Sequence, residues 1–249
     1  MSTTAIQAQT GENQTSPAFR MLESLNVIRN ESAQESRISF QLCLQGALGR
    51  QEQEAFIAKR FNDVYGAQVD EFYPVLMSRT ENNSLSSVVG IRPGTDKPLF
   101  LEQYLELPLD EAIHQKTGNR VCRNTLAEIG NLASNCRRSN QLMFIILTAV
   151  LAEAGYEWVV FTATSQVRAL LRRLKFYPVT LCGADPTRLH DNSDAWGSYY
   201  AAGPEVQSGS LKEGMEILRQ NPFTAGLLKR HELEIRQLAR QLQNKFRNR

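Results

Sequence analysis

The chain has 249 residues, of which 42% are hydrophobic and 22% charged, with a formal net charge of +2 at pH 7. This composition is ordinary for a protein with a sizeable core, and the small net charge excludes binding of polyanions by the overall field of the molecule. The four cysteines form no CxxC pair, which argues against a zinc site and favours a reducing compartment. The N-terminus lacks the pattern of an export signal, and the longest apolar run, residues 142–152, is too short to span a bilayer. We therefore expect a cytoplasmic protein.

The first half of the chain carries signals for disorder, strand and helix in turn. Residues 1–35 are rich in polar residues and are predicted to be disordered. Further elements are predicted as follows: a strand at residues 38–44, a helix at 50–65 closed by Gly66, strands at 69–77 and 86–91 around a turn at 81–84, and a helical segment at 99–116 broken at Pro108.

The second half predicts these elements: a strand at residues 120–132, a buried helix at 141–154, a strand at 158–162, a helix at 165–175 with Ser165 as N-cap, strands at 178–182 and 197–201, and a helical tail at 211–249 interrupted at Asn221-Pro222. Two strands joined by a tight turn are antiparallel. The order of elements therefore predicts a mixed α/β fold whose sheet cannot be purely parallel.

Four segments carry a resemblance to a known family: LFLEQYLELPLDEAI (99–113), EIGNLA (128–133), VVFTAT (159–164) and WGSYY (196–200). In this order they resemble the thermostable hemolysin family of the GNAT acyltransferase superfamily and, more distantly, the acyl-homoserine-lactone synthases. The resemblance implies a mixed, mostly antiparallel central sheet flanked by helices at residues 36–210, followed by the helical tail. It also implies acyl transfer from a thioester, although the family name records hemolysis and a fold does not fix a function.

In a GNAT-like domain the fourth strand splays from the fifth, and the thioester donor lies in the cleft between them. The resemblance places Glu128 on this strand near the acceptor, where a partly desolvated carboxylate can take a proton from the attacking ammonium. The alternatives for Glu128 are an ion pair with Arg120 or Arg123 at the strand edge, or binding of a substrate ammonium without proton transfer. Asn131 either hydrogen-bonds a substrate carbonyl or amine, or belongs to a β-bulge in which it satisfies itself.

The loop before the buried helix is the predicted donor site. Arg137, Arg138, Ser139 and Asn140 lie where backbone N–H groups at a helix N-terminus and added positive charge bind phosphate. The glycines of the superfamily loop R/Q-x-x-G-x-G/A are missing here, which weakens the case for CoA and leaves room for an acyl carrier protein. Solvated loop charges are the alternative.

Three arginines on the helix at residues 165–175, namely Arg168, Arg172 and Arg173, either dock an acidic carrier protein or form a solvated helix face. No aromatic-interleaved basic patch or DNA-binding motif is present, so we expect no nucleic-acid partner. The three histidines show no metal-ligand spacing, so we expect no metal.

Two groups of residues are candidates for substrate binding. Trp196, Tyr199 and Tyr200, predicted on a late strand, either line the acyl chain or belong to the core. Glu102 and Tyr104 lie in the inserted segment that resembles an acceptor lid. Apolar residues of the buried helix, such as Phe144 and Leu147, could extend an acyl tunnel or be core.

Residues 229–249 contain seven Lys or Arg and two Glu, with an apolar side. Such a basic amphipathic helix can lie on an anionic membrane, which would place the protein peripherally at the inner membrane, or it can pack on its own domain or on a dimer mate. Our leading hypothesis is an N-acyltransferase that moves a fatty acyl group from an acyl-carrier-protein or CoA thioester to the amine of an amino acid or small amino metabolite. A membrane-active cytolysin and a non-catalytic acyl-ligand-binding domain are the alternatives.

Overall fold

A seven-stranded sheet forms the centre of the protein in a computed structural model, which describes residues 37–96, 98–189 and 193–247. The side chains of residues 137, 138, 193, 194, 246 and 247 are not described, and the segment predicted to be disordered, residues 1–35, lies outside the described residues. The strands are β1 (Ile38–Leu44), β2 (Val75–Glu81), β3 (Ser84–Pro93), β4 (Leu126–Ser134), β5 (Trp158–Ala163), β6 (Val179–Gly183) and β7 (Glu205–Ser210).

The strands are arranged in the order β1-β2-β3-β4-β5-β7-β6. All neighbouring pairs are antiparallel except β4 and β5, which are parallel. The predicted mixed, mostly antiparallel sheet is therefore confirmed. Asn82 and Asn83 turn the β2–β3 hairpin with φ values of 52° and 65°, which asparagine tolerates better than most residues.

Seven α-helices are found in the described part of the chain: α1 (Arg50–Tyr65), α2 (Leu109–Thr117), α3 (Arg137–Glu153), α4 (Ser165–Arg173), α5 (Leu211–Gln220), α6 (Pro222–Arg230) and α7 (Glu232–Arg247). A 3-10 helix (Phe100–Tyr104) precedes α2. The cap of α4 is Thr164 rather than Ser165, because the Thr164 hydroxyl accepts the Val167 N–H.

The two faces of the sheet are covered by different helices. Helix α3 packs on one face, where its buried residues Met143, Ile146 and Val150 belong to a core shared with β2, β3, α5 and α7. The other face is covered by α1 over β2 to β4, and by the 3-10 helix and α2 over β4 to β7. Burying each large apolar side chain contributes about 1.5–3 kcal/mol, so both faces are fixed.

The C-terminal helix packs on its own domain, which is one of the arrangements considered for the tail. Ile235, Leu238 and Leu242 of α7 are buried against α3 and β1. The Glu234 carboxylate accepts the Phe40 N–H of the edge strand β1 at 2.7 Å. Within the described residues, no helix combines the length and the apolar character needed to cross a bilayer.

Some predicted boundaries and one predicted strand were wrong. Residues 197–201 are not a strand: Gly197 approaches the chain so closely that a Cβ there would lie 2.1 Å from the Tyr65 carbonyl oxygen, and a 3-10 helix (Tyr199–Ala202) follows. The last strand is β7, in which Val206 is the only large apolar residue. The strand predicted at residues 120–132 begins at Leu126, because a 3-10 turn (Arg123–Thr125) precedes it.

Candidate active site

Strands β4 and β5 are paired along only part of their length. The pairing between them runs from Leu126↔Trp158 to Ile129↔Phe161. Beyond this point β4 continues to Ser134 and β5 to Ala163, but the two strands are no longer paired with each other. At the same point β4 carries a bulge: two of its residues, Asn131 and Leu132, lie opposite one residue of β3, and Asn131 has a φ of 49°. The sheet is therefore open between β4 and β5 just beyond Ile129.

Glu128 lies on β4 immediately before this opening and is completely buried. Its two carboxylate oxygens accept the backbone N–H groups of Phe100 at 3.1 Å and Leu101 at 2.8 Å. Burial raises the pKa of Glu128, and it outweighs the opposing effects of the Arg92 charge and of the hydrogen bonds that the carboxylate accepts. A buried carboxyl with a raised pKa is a candidate for proton transfer.

The alternative ion pair of Glu128 with Arg123 was wrong. The Arg123 guanidinium binds Glu102 at 2.6 Å and Asp110 at 3.0 Å. Strand β4 is also an interior strand of the sheet, not an edge. The charged group opposite Glu128 is Arg92 of β3.

Tyr73, which the sequence analysis missed, completes the surroundings of Glu128. It lies in the loop between α1 and β2, and its phenol and the Glu128 carboxylate are close enough for each to shift the pKa of the other. Asn131 holds this loop, since its Oδ1 accepts the Tyr73 N–H at 2.9 Å and its Nδ2 donates to the Glu71 carbonyl at 3.1 Å. Asn131 is therefore not self-satisfied, and its described hydrogen bonds are to this loop.

The predicted donor site lies at the start of α3. Arg137 and Arg138 open this helix, but their side chains are not described. Ser139 is buried and accepts from Arg79 of β2 at 3.0 Å. Arg79 is a buried cation that the sequence analysis did not single out, and among the described residues its Nε and the Oδ1 of Asn140 have no hydrogen-bond partner.

An aromatic cluster borders the open end of β5. The Tyr199 hydroxyl donates to Thr162 of β5 at 2.9 Å, and the Tyr199 ring packs edge-on against Tyr200 and at a tilt against Trp196. The Tyr104 and Tyr200 hydroxyls are 2.5 Å apart, so the structure joins the two predicted groups here. Burial raises the pKa of Tyr104, and the hydrogen bond with Tyr200 adds to this effect.

Glu102 does not face this cluster. Its carboxylate accepts the Leu99 N–H at the start of the 3-10 helix and the Leu109 N–H at the start of α2, and it pairs with Arg123. Its pKa is lowered because these contacts outweigh the effect of burial. In the structure Glu102 thus holds the inserted segment in place.

An apolar pocket lies on the α3 face of the sheet. Ile129 and Phe161, the last paired residues of β4 and β5, are among the residues that line it. Further lining residues come from α3 and α5 and include Phe144, Leu147, Leu151, Leu211 and Gly214. Phe144 and Leu147, which were predicted either to extend an acyl tunnel or to belong to the core, thus line a cavity.

The three arginines of α4 differ in their surroundings. Arg168 donates to the carbonyl groups of Ala163 at 2.8 Å and Gly203 at 2.9 Å, so it is used within the domain. Arg172 and Arg173 are exposed in the last turn of the helix. Carrier-protein docking therefore stays a prediction that rests on these two residues.

The fold is that of solved acyl-transfer synthases. It is similar to the acyl-homoserine-lactone synthase LasI, with 12% identity and a TM-score of 0.50 over 71% of this chain and 91% of that chain. It is also similar to FeeM, an N-acyl amino acid synthase from uncultured soil microbes, with 12% identity and a TM-score of 0.52 over 76% of this chain and 98% of that chain. No curated protein matches the sequence. Residues 44–215 match the sequence model of the thermostable hemolysins, and the chain belongs to this family.

Proposed function

We propose that this protein is an N-acyltransferase that moves a fatty acyl group from a thioester to the amine of an amino acid or small amino metabolite. The observation that carries the proposal is the position of buried Glu128 directly before the β4 bulge, where β4 and β5 stop pairing. An opening in the sheet, an adjacent proton acceptor and unpaired strand N–H groups are what aminolysis of a thioester requires. The likeness in fold to LasI and FeeM agrees with this chemistry.

In the proposed reaction Glu128 takes a proton from the ammonium of the acceptor. The free amine attacks the thioester carbonyl and the C–N bond forms. The C–S bond then breaks, and the leaving thiolate takes up the proton that the new amide nitrogen loses, so a thiol departs. N–H groups of β4 beyond Ile129 would hydrogen-bond the negative oxygen of the intermediate. The raised pKa of Glu128 supports the role of base, because it brings the carboxyl closer to neutral pH.

Two parts of the donor, its acyl chain and its phosphate, would each have a binding site. Its acyl chain would enter the apolar pocket that Ile129 and Phe161 help to line. Its phosphate would bind at the start of α3, near Arg79, with Arg137, Arg138 and Asn140 as further contacts. Arg172 and Arg173 would meet the acidic surface of an acyl carrier protein, whereas CoA would not need them.

A non-catalytic acyl-binding domain is the second candidate function. It is favoured by the fact that both oxygens of Glu128 already accept backbone N–H groups, which is also what a purely structural carboxylate does. A cytolysin is disfavoured because Ile235, Leu238 and Leu242 of the amphipathic tail are buried within the domain. Peripheral membrane contact of the tail stays a prediction.

The test combines thiol release with membrane leakage. Purified protein is mixed with long-chain acyl-CoA or acyl carrier protein and a set of amino acids and amines, while parallel samples receive dye-loaded liposomes without a donor. We expect thiol release that depends on an amine, is lost in Glu128→Gln, and is retained in Glu111→Gln, which changes an exposed carboxylate. Acyl-donor binding without turnover would favour the second candidate, and leakage without a donor would favour the cytolysin.

A further inference from the structure

The main chain of Tyr73 is fixed on both sides by side chains from distant elements. Buried Arg50, in the first turn of α1, donates to the Tyr73 carbonyl at 2.6 Å and also to the carbonyl of Cys43 on β1. Asn131 accepts the Tyr73 N–H from the β4 side. Charge-assisted and buried hydrogen bonds are stronger than exposed neutral ones, so they fix the main chain of this irregular loop.

The ring of Tyr73 occupies a slot made by two glycines. Gly90 of β3 and Gly130 of β4 are directly opposite each other in the antiparallel register. A Cβ on Gly130 would lie 2.6 Å from the Cζ of Tyr73, and a Cβ on Gly90 would lie 2.9 Å from its Cβ. Strand glycines at such distances mark the close approach of another group, here an aromatic ring. Side chains on every second residue of a strand point to the same face of the sheet. Glu128, two residues before Gly130, therefore points to the face on which the Tyr73 ring lies, within reach of the Tyr73 hydroxyl.

Arg92 borders the same ring from β3. It is opposite Glu128 in the register, and its guanidinium carbon is 4.5 Å from the centroid of the Tyr73 ring, a cation–π distance. The other elements around Glu128 supply uncharged groups. They are the N–H groups of Phe100 and Leu101 in the 3-10 helix, the Tyr104 phenol near Tyr73, and the side chain of Val160 on β5. The carboxylate of Glu102 on the 3-10 helix is bound to Arg123.

We infer that Tyr73 and Arg92 are positioning residues, which orient the Glu128 carboxylate at the bulge and keep it ionised for proton transfer. The part of this inference that concerns catalysis rests on the proposed function. The proton positions agree with it, because burial and the negative charge of Glu128 raise the pKa of Tyr73, so the phenol stays protonated and presents a donor rather than a negative charge to the carboxylate. Burial raises the pKa of Glu128, while Arg92 and the Tyr73 hydroxyl oppose this effect. Removal of either group should raise the pKa of Glu128 further.

The test measures the titration of Glu128 separately from the reaction. Protein labelled with ¹³C at the glutamate carboxyl carbon is titrated by NMR, and the Glu128 signal is assigned by its absence in Glu128→Gln. The variants are Tyr73→Phe, which keeps the ring in its slot, Arg92→Gln, and Arg92→Lys, which retains the charge. Tyr156→Phe is the control, since it removes the hydroxyl of a partly buried tyrosine outside the site.

We expect the Glu128 titration to move to higher pH in Tyr73→Phe and further in Arg92→Gln, to return toward wild type in Arg92→Lys, and to stay unchanged in Tyr156→Phe. The acid limb of kcat/KM should move in parallel, with a loss of about threefold or more on that limb, since the ionised fraction there changes tenfold per pKa unit. An unmoved Glu128 titration in both Tyr73→Phe and Arg92→Gln would overturn the inference. A titration that moves while the kinetic limb does not would support the positioning of the carboxylate but remove Glu128 from the role of base.

Discussion

The substitution Gly130→Ala tests the packing on which the site depends. Gly130 does not have a positive φ, so alanine fits its backbone, and the cost arises from the new methyl group alone. This Cβ would lie 2.6–2.8 Å from Cζ, Cε2 and the hydroxyl oxygen of Tyr73. Tyr73 is buried, and both its main-chain N–H and its carbonyl are hydrogen-bonded, so the loop cannot easily move away. The ring has to move, and overpacking of this kind typically costs about 1–3 kcal/mol. For a domain of this size that lowers the melting temperature by about 2–12 °C.

Displacement of the ring also removes the hydroxyl from Glu128, so Gly130→Ala should lose more activity than its stability loss explains. The measurements are thermal denaturation by circular dichroism and amine-dependent thiol release well below the melting temperature. Gly183→Ala is the matched control, because a Cβ on this glycine of β6 would meet no atom within 4 Å. Equal melting temperatures and equal rates for Gly130→Ala and Gly183→Ala would refute the placement of Tyr73 over Gly130.

Further predictions concern the pocket, the tail and the inserted segment. Gly214→Val should shift the products toward shorter acyl chains, because a Cβ on Gly214 would already be 3.3 Å from Thr148 at the pocket wall. Competition among thioesters of different lengths measures the chain-length preference, and a preference equal to that of wild type would contradict the prediction. Leu242→Ala should lower the free energy of unfolding, measured by urea denaturation, by about 2–5 kcal/mol, because Leu242 is 0% exposed. Leu233 is 80% exposed, so Leu233→Ala should change this free energy little. Equal effects of the two substitutions would contradict the packing of α7. Glu102 has a pKa below that of an unfolded glutamate, so its contribution is present above the unfolded pKa and is lost as the pH falls through the folded pKa. Glu102→Gln should therefore be less stable at pH 7 and lose less stability on acidification, and stability curves parallel to wild type would speak against the pair with Arg123.

Local signals predicted much of the fold. Helix α1 has the predicted bounds because its apolar spacing is regular and Gly66, with a φ of 68°, ends it. The β2–β3 hairpin followed from two consecutive asparagines. Strand β7 escaped prediction because its sequence, EVQSGS, has small and polar residues on both faces, although the strand is paired on both sides within the sheet. Pairing with neighbours decides such a strand, and its own sequence does not show it.

The candidate site was only partly predictable for a similar reason. The resemblance drew attention to Glu128 and Asn131, but it could not show that Asn131 binds the loop around Tyr73. Tyr73 lies 55 residues before Glu128 in an irregular loop, and no periodicity connects them. The available signal was the pair Gly90 and Gly130, since a glycine within an apolar strand indicates the close approach of another group.

Glu128 at the β4 opening is proposed to support acyl transfer to an amine. Mass spectrometry of lipid extracts tests it directly, with cells that express wild type, Glu128→Gln or Glu111→Gln at equal levels of folded protein. We expect an N-acylated amine that is present with wild type and Glu111→Gln and absent with Glu128→Gln. The mass of this product would identify both the acyl chain and the acceptor. The same N-acylated product at wild-type level from Glu128→Gln would contradict the assignment of the base, and no such product from wild type in cells supplied with amines and fatty acids would contradict acyl transfer itself.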